Sequence, residues 1–209
     1  MCVRRVCRTA VAAIVILLVG CRYQLPALRP PKFDPEAAAA AAMEQYDTNQ
    51  DGIIRDQELK HAPGIQFVIL RIDADKDGGV SSSEISQMIQ EKWIDPGDGV
   101  MRVKCDVIFR RRRLDGATIT FEPEQFLGDL IYPAMGITRD GFATMSVAEE
   151  HMPHPNARGV APGLYLVRIS KLVDGEETIP AKYNTKTTLG VEVASRASYM
   201  PGAIEFELK

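Results

Sequence analysis

Hydrophobic spacing splits the chain into two halves with different periods. Between residues 34 and 94 the apolar positions recur at helical intervals: Ile65, Val68, Ile69 and Ile72 fall at i, i+3, i+4 and i+7, and Ile85, Met88, Ile89 and Trp93 continue in the same way. An earlier helix opens at Asp34-Pro35-Glu36, where Asp34 can cap, Pro35 suits the first helical position and Glu36 complements the dipole. The run Ala37 to Ala42 propagates it, with Met43 and Tyr46 facing inward, and Pro63-Gly64 starts the next helix. The stripes predict four short helices packed on one another. Asp95-Pro96-Gly97-Asp98-Gly99 ends helicity, so residues 95–99 are read as a linker, and beyond it the period becomes two. Alternation in 101–109, 117–121, 143–147, 165–169, 189–193 and 204–208 predicts an antiparallel β-sandwich over residues 100–209. Odd-numbered side chains form the core face in most strands, and Cys105 lies on it as a buried, inert thiol.

Two stretches interrupt the helical half, and they are built alike. The first carries Asp47, Asn49 and Asp51 at positions one, three and five, Gly52 at six, Ile53 at seven and Glu58 at twelve. The second repeats this with Asp73, Asp75, Asp77, Gly78, Gly79 and Glu84. A hard divalent cation takes six to eight oxygens at roughly 2.3–2.6 Å, and this spacing curls three short polar side chains around one point while the Glu reaches back with both oxygens. Ile53 and Gly79 need supply only a backbone carbonyl. Both loops resemble EF-hands, which implies two Ca²⁺ sites and a two-stranded bridge through Ile54 and Val80 at position eight. Loop two offers four carboxylates and Ser81 at position nine; loop one offers three carboxylates, an amide and Arg55 at nine. Loop two is therefore expected to bind more tightly. The loops lie closer together in sequence than those of calmodulin-like pairs, which favours a static calcium site over an opening one.

The amino terminus has a separate logic. Arg4, Arg5 and Arg8 precede an apolar run from Ala10 to Val19, too short to span a bilayer, and Leu18-Val19-Gly20-Cys21 resembles a bacterial lipobox. That resemblance implies a signal peptide over residues 1–20, lipidation of Cys21 and a membrane anchor in the bacterial cell envelope. Arg22 after the cysteine favours the outer membrane or surface. Residues 21–33, with Pro26, Pro30 and Pro31, read as an extended tether.

Removing the signal takes away three arginines and no acid, moving the formal charge from −3 to −6. An acidic chain suits cation binding and argues against nucleic acid. Cys2 and Cys7 leave with the signal, so Cys105 is left without a disulfide partner. Arg110 to Arg113 read as a solvated hairpin tip, and His151 with His154 make an incomplete metal site. No nucleophile elbow or phosphate-cradling glycine loop is present, and the chain is not expected to be an enzyme.

In the second half, Leu114 to Phe121, Thr138 to Phe142 and Ala161 to Val167 resemble carboxypeptidase regulatory-like, transthyretin-like domains, as do Ile179 to Asn184 and Thr185 to Val193. The resemblance implies a fold and no activity. The overall expectation is a multidomain α plus β protein: an EF-hand pair over 34–94, then a transthyretin-like (prealbumin-like) sandwich. The function expected is calcium binding in a structural or adhesive envelope lipoprotein, with an accessory module for carbohydrate or an exported enzyme as the rival. Its partners would be calcium, the membrane, and an envelope protein or polysaccharide.

Overall fold

The structure is a computed structural model and describes residues 30–152, 157–195 and 202–209. The signal segment, Cys21 and His154 lie outside the described residues. Helix α1 (Pro35–Tyr46) begins as its sequence dictates, with the Asp34 carboxylate accepting from the Ala37 amide at 3.0 Å. Strand β1 (Ile53–Arg55), a 3-10 turn (Leu59–His61), α2 (Pro63–Ile72), β2 (Gly79–Ser81) and α3 (Ser82–Ile89) follow, and α3 runs into a π-helical turn (Gln90–Ile94). Strands β1 and β2 pair antiparallel with Ile54 opposite Val80, the bridge expected between the loops.

Instead of four helices packed on one another there are three, plus a single 3-10 turn. Helices α1 and α3 form the main helical pair, while α2 touches α3 lightly and lies across the sheet on the strands Gly163–Ser170 and Gly190–Val193. The first turn of α2 sits so close that a Cβ on Gly190 would stand 1.8 Å from the Pro63 carbonyl oxygen.

The sheet comprises β3 (Val103–Phe109), β4 (Arg112–Arg113), β5 (Thr118–Pro123), β6 (Ala134–Ile137), β7 (Phe142–Val147), β8 (Gly163–Ser170), β11 (Gly190–Val193) and β12 (Ile204–Leu208). The strands β9 (Leu172–Val173) and β10 (Glu176–Glu177) form a small separate hairpin. The main order is β11-β8-β5-β6-β7-β3-β12, with β4 paired to β3. All six alternating segments are strands, and β4 and β6 are additions to them. Pairing is antiparallel except for β12, which runs parallel to β3 with Ile204 beside Cys105.

The sheet curls. Phe121 of β5 and Phe206 of β12 meet with ring centroids 6.4 Å apart, although β6, β7 and β3 lie between their strands in the sheet order. Their shared face encloses Cys105, Ile119, Met145, Val167 and Ile169, all fully or nearly fully buried. Burial pushes the Cys105 thiol well above the usual range, as an inert core cysteine requires.

One hydrophobic cluster runs through both halves, from Phe33 to Leu208. Phe33, the last residue of the stretch read as a tether, is buried against Trp93 with ring centroids 5.2 Å apart. Among the described residues no helix is long and apolar enough to cross a membrane.

Candidate metal centre

Each loop is shaped by its own short acidic side chains. In loop two, Asp73 Oδ2 accepts from the Gly78 amide at 3.1 Å, Asp75 Oδ1 from Asp77 at 3.2 Å and Asp77 Oδ1 from Gly79 at 2.9 Å. Gly78 has φ +87°, a conformation that opens the tight turn and that a Cβ would strain. Glu84 accepts from the Ala74 amide at 2.7 Å through one oxygen and from the Ser81 amide and hydroxyl, each at 2.8 Å, through the other. Ser81 and Glu84 thereby form a capping box that starts α3 and fixes the position-twelve carboxylate.

The outcome is a cluster of oxygens. Ligand atoms of Asp73, Asp75 and Glu84 all lie within 4.8 Å of one another. Asp73 Oδ1 is buried with no hydrogen-bond partner. A buried carboxylate oxygen without a donor is costly, and a hard cation satisfies it directly. The donor set of Asp73, Asp75, Asp77, Glu84 and the Gly79 carbonyl thus fits Ca²⁺.

Loop one repeats the scaffold with a different balance. Asp47 accepts from the amides of Asp51 (3.1 Å) and Gly52 (2.9 Å), and Glu58 from the Thr48 amide and hydroxyl and the amides of Asn49 and Arg55. Asn49 Oδ1 accepts from the Asp51 amide at 2.8 Å. The contrast lies at position five, where Asp51 is held by the Arg55 guanidinium at 2.5 Å. That bond holds the Asp51 carboxyl below the usual carboxylate range and raises Arg55 in turn. Among the described residues, three-carboxylate clustering is found at Asp73, Asp75 and Glu84 and is not found in loop one.

Both position-twelve carboxyls are held in the charged form that a cation needs. Burial acts to raise Glu58 and Glu84, but donors from Arg55, Thr48 and Asn49 in the first case, and from Ser81, Ala74 and Asp75 in the second, outweigh it. Both carboxyls lie below their ordinary value.

Two residues of site geometry escape sequence reading. Glu124, between β5 and the 3-10 turn Gln125–Leu130, is buried; it accepts from the Tyr46 hydroxyl and the Gly64 amide, each at 2.6 Å. Tyr46 directly precedes Asp47, where loop one begins, and Gly64 lies in the first turn of α2. Burial raises the Glu124 carboxyl, partly offset by the two donors, and raises the Tyr46 hydroxyl. Glu192 of β11, fully buried, pairs with Arg71 at 2.5 Å and accepts from Trp93 Nε1 at 3.4 Å. Arg71 stands two residues before Asp73. A lone acid between Val191 and Val193 was the available signal for Glu192; Glu124 had none.

Compared with known proteins, residues 68–89 match the family model described as EF hand, a segment that spans loop two and both its flanking helical turns. No curated protein and no solved structure matches the chain. Family match and carboxylate cluster coincide on the same residues, and together they mark Asp73 to Glu84 as an EF-hand calcium loop.

Proposed function

We propose that the chain is an anchored calcium-binding protein in which Ca²⁺ at Asp73, Asp75, Asp77, Gly79 and Glu84 has a structural role. A second, weaker site takes Asp47, Asn49, Asp51, Ile53 and Glu58. The observation that carries this reading is the buried Asp73 oxygen without a donor, beside the carboxylates of Asp75 and Glu84. A static rather than opening pair is supported by the clamps on the helices. Residues of the sheet half hold Tyr46 at the end of α1 and both ends of α2. Swinging either helix would expose Glu124 or Glu192.

The lipobox resemblance at Cys21 gives the anchor and the cell-envelope location, and the motifs of the second half give a carboxypeptidase regulatory-like sandwich. On this reading the sandwich is an adhesive or structural unit with no catalytic role. Site affinities of about 10⁻⁴–10⁻³ M suffice outside the cytoplasm. Calorimetry with Ca²⁺ and Mg²⁺, beside thermal melts, tests the proposal. Binding heat for Ca²⁺ and a melting temperature that rises with millimolar Ca²⁺ are expected, since a ligand at about ten times Kd adds about 1.4 kcal/mol. An unchanged melt and no heat would refute it.

A further inference from the structure

The β6–β7 hairpin turns apolar side chains away from the core. Met135, Ile137 and Phe142 are 55%, 62% and 41% exposed. Pairing sets Thr118 beside Ile137, Thr120 beside Met135 and Lys104 beside Thr144, so the apolar residues form an island edged by threonines and a lysine. Because the sheet curls around Phe121 and Phe206, the opposite face carrying this island is the convex outside.

Cations gather at the same end. The Arg113 guanidinium sits 4.3 Å above the Phe142 ring and 3.7 Å from Asp106, and Arg139, whose backbone pairs with that of Phe142 across the turn, lines the same depression as Met135 and Ile137. Arg110 and Arg111 form the adjoining tip in left-handed backbone, φ +52° and +64°. Among the described residues, Arg110, Arg111, Arg112 and Arg139 have no carboxylate within ion-pair distance. Five arginines meet three carboxylates there, Asp106 beside Arg113 and Asp115 and Asp140 in the two turns, with Glu205 of β12 next to Asp106 on the far side, in a protein whose net charge is −3.

We propose that this face docks on an anionic lipid surface, with Arg110 to Arg113 and Arg139 on the headgroup phosphates and Met135, Ile137 and Phe142 at the acyl boundary. Charge complementarity selects the sign of the partner. Shape selects its class: β6 and β7 are both paired on each side, so no peptide can add as a strand, and the face offers only a shallow, open depression of about 510 Å³ walled by Met135, Ile137, Arg139 and Phe142. A soluble polyanion would engage the arginines and leave the apolar island in water, whereas a bilayer interface accepts both.

The test uses residues 30–209, which contain the whole hydrophobic cluster from Phe33 to Leu208 and lack the apolar run Ala10 to Val19. Sedimentation is measured with vesicles of phosphatidylcholine alone and of phosphatidylcholine with phosphatidylglycerol. Binding is expected to the anionic vesicles only, weakened roughly fivefold by each of Arg111→Gln and Arg112→Gln. The pair Ile137→Ser and Met135→Ser should weaken it at least about tenfold with an unchanged melting temperature, both side chains being solvent-exposed. No binding to anionic vesicles overturns the proposal. So does full binding by the serine variant, or equal competition by inorganic polyphosphate that the serine variant does not alter, since either leaves a simple polyanion site.

Discussion

Loops one and two share a plan yet differ in what surrounds them. In loop two the carboxylates converge on a point, one buried oxygen lacks any donor, and α2, which leads in, is pinned near both ends by Glu124 and Glu192. In loop one a position-five carboxylate is already taken by Arg55, the leading helix is tied to the sheet half at its carboxyl end, by Tyr46 and the exposed Gln45, and the exit is a single 3-10 turn. Ligand identity already favours loop two by one carboxylate. The structure adds preorganisation: a site whose oxygens are already gathered and whose flanks are fixed spends less of the ion's binding energy on ordering.

The largest test removes the shared pin. Glu124→Ala leaves the Tyr46 hydroxyl and the Gly64 amide buried without an acceptor, and a loss of about 3 kcal/mol in urea unfolding is expected. Both loops should weaken together. Glu192→Ala separates them: with Arg71 partly exposed, the expected cost is about 2 kcal/mol. Calorimetry should then show loop two weakened and loop one unaffected; equal weakening would show that α2 is not what distinguishes them.

Next in size is removal of the position-twelve ligand. Glu84→Gln should lower calcium affinity at least about tenfold, or about 1.4 kcal/mol, and Glu58→Gln by less. The reverse order would overturn the ranking. A smaller effect comes from pH. Glu124 is raised in the folded protein, so its contribution is complete below the ordinary carboxylate value of about 4.3 and is lost as pH rises through the folded value. Glu58 and Glu84 are lowered, so theirs is present above that value and lost as pH falls through the folded ones. Glu124→Gln should therefore gain stability relative to the parent as pH rises above about 4.3, read from urea midpoints between pH 4 and 8. Smallest of all, Arg55→Ala frees Asp51 and should tighten loop one by no more than about a few fold.

Much of this was legible in the residues. Oxygen spacing located both loops and the Ile54–Val80 bridge, and period-two alternation located six strands and the buried Cys105. The packing partners were not. A helical stripe says that a face is buried without saying against what, which is why α2 was expected on other helices and lies on β8 and β11. Alternation placed Glu192 on the outer face, where α2 covers it. β6 reads Ala-Met-Gly-Ile, with no polar residue for its apolar ones to alternate with, and parallel and antiparallel strands alternate alike, so the β3–β12 pairing left no mark.

That last pairing has a kinetic consequence. Ile204 rests beside Cys105, so the sheet closes only when segments far apart along the chain find each other, and such long-range closure is slow. Both loops and their bridge depend on near neighbours alone. On first folding, calcium can be captured before Glu124 and Glu192 arrive to brace the helices, and stopped-flow refolding should then show a fast calcium-dependent phase ahead of sheet formation.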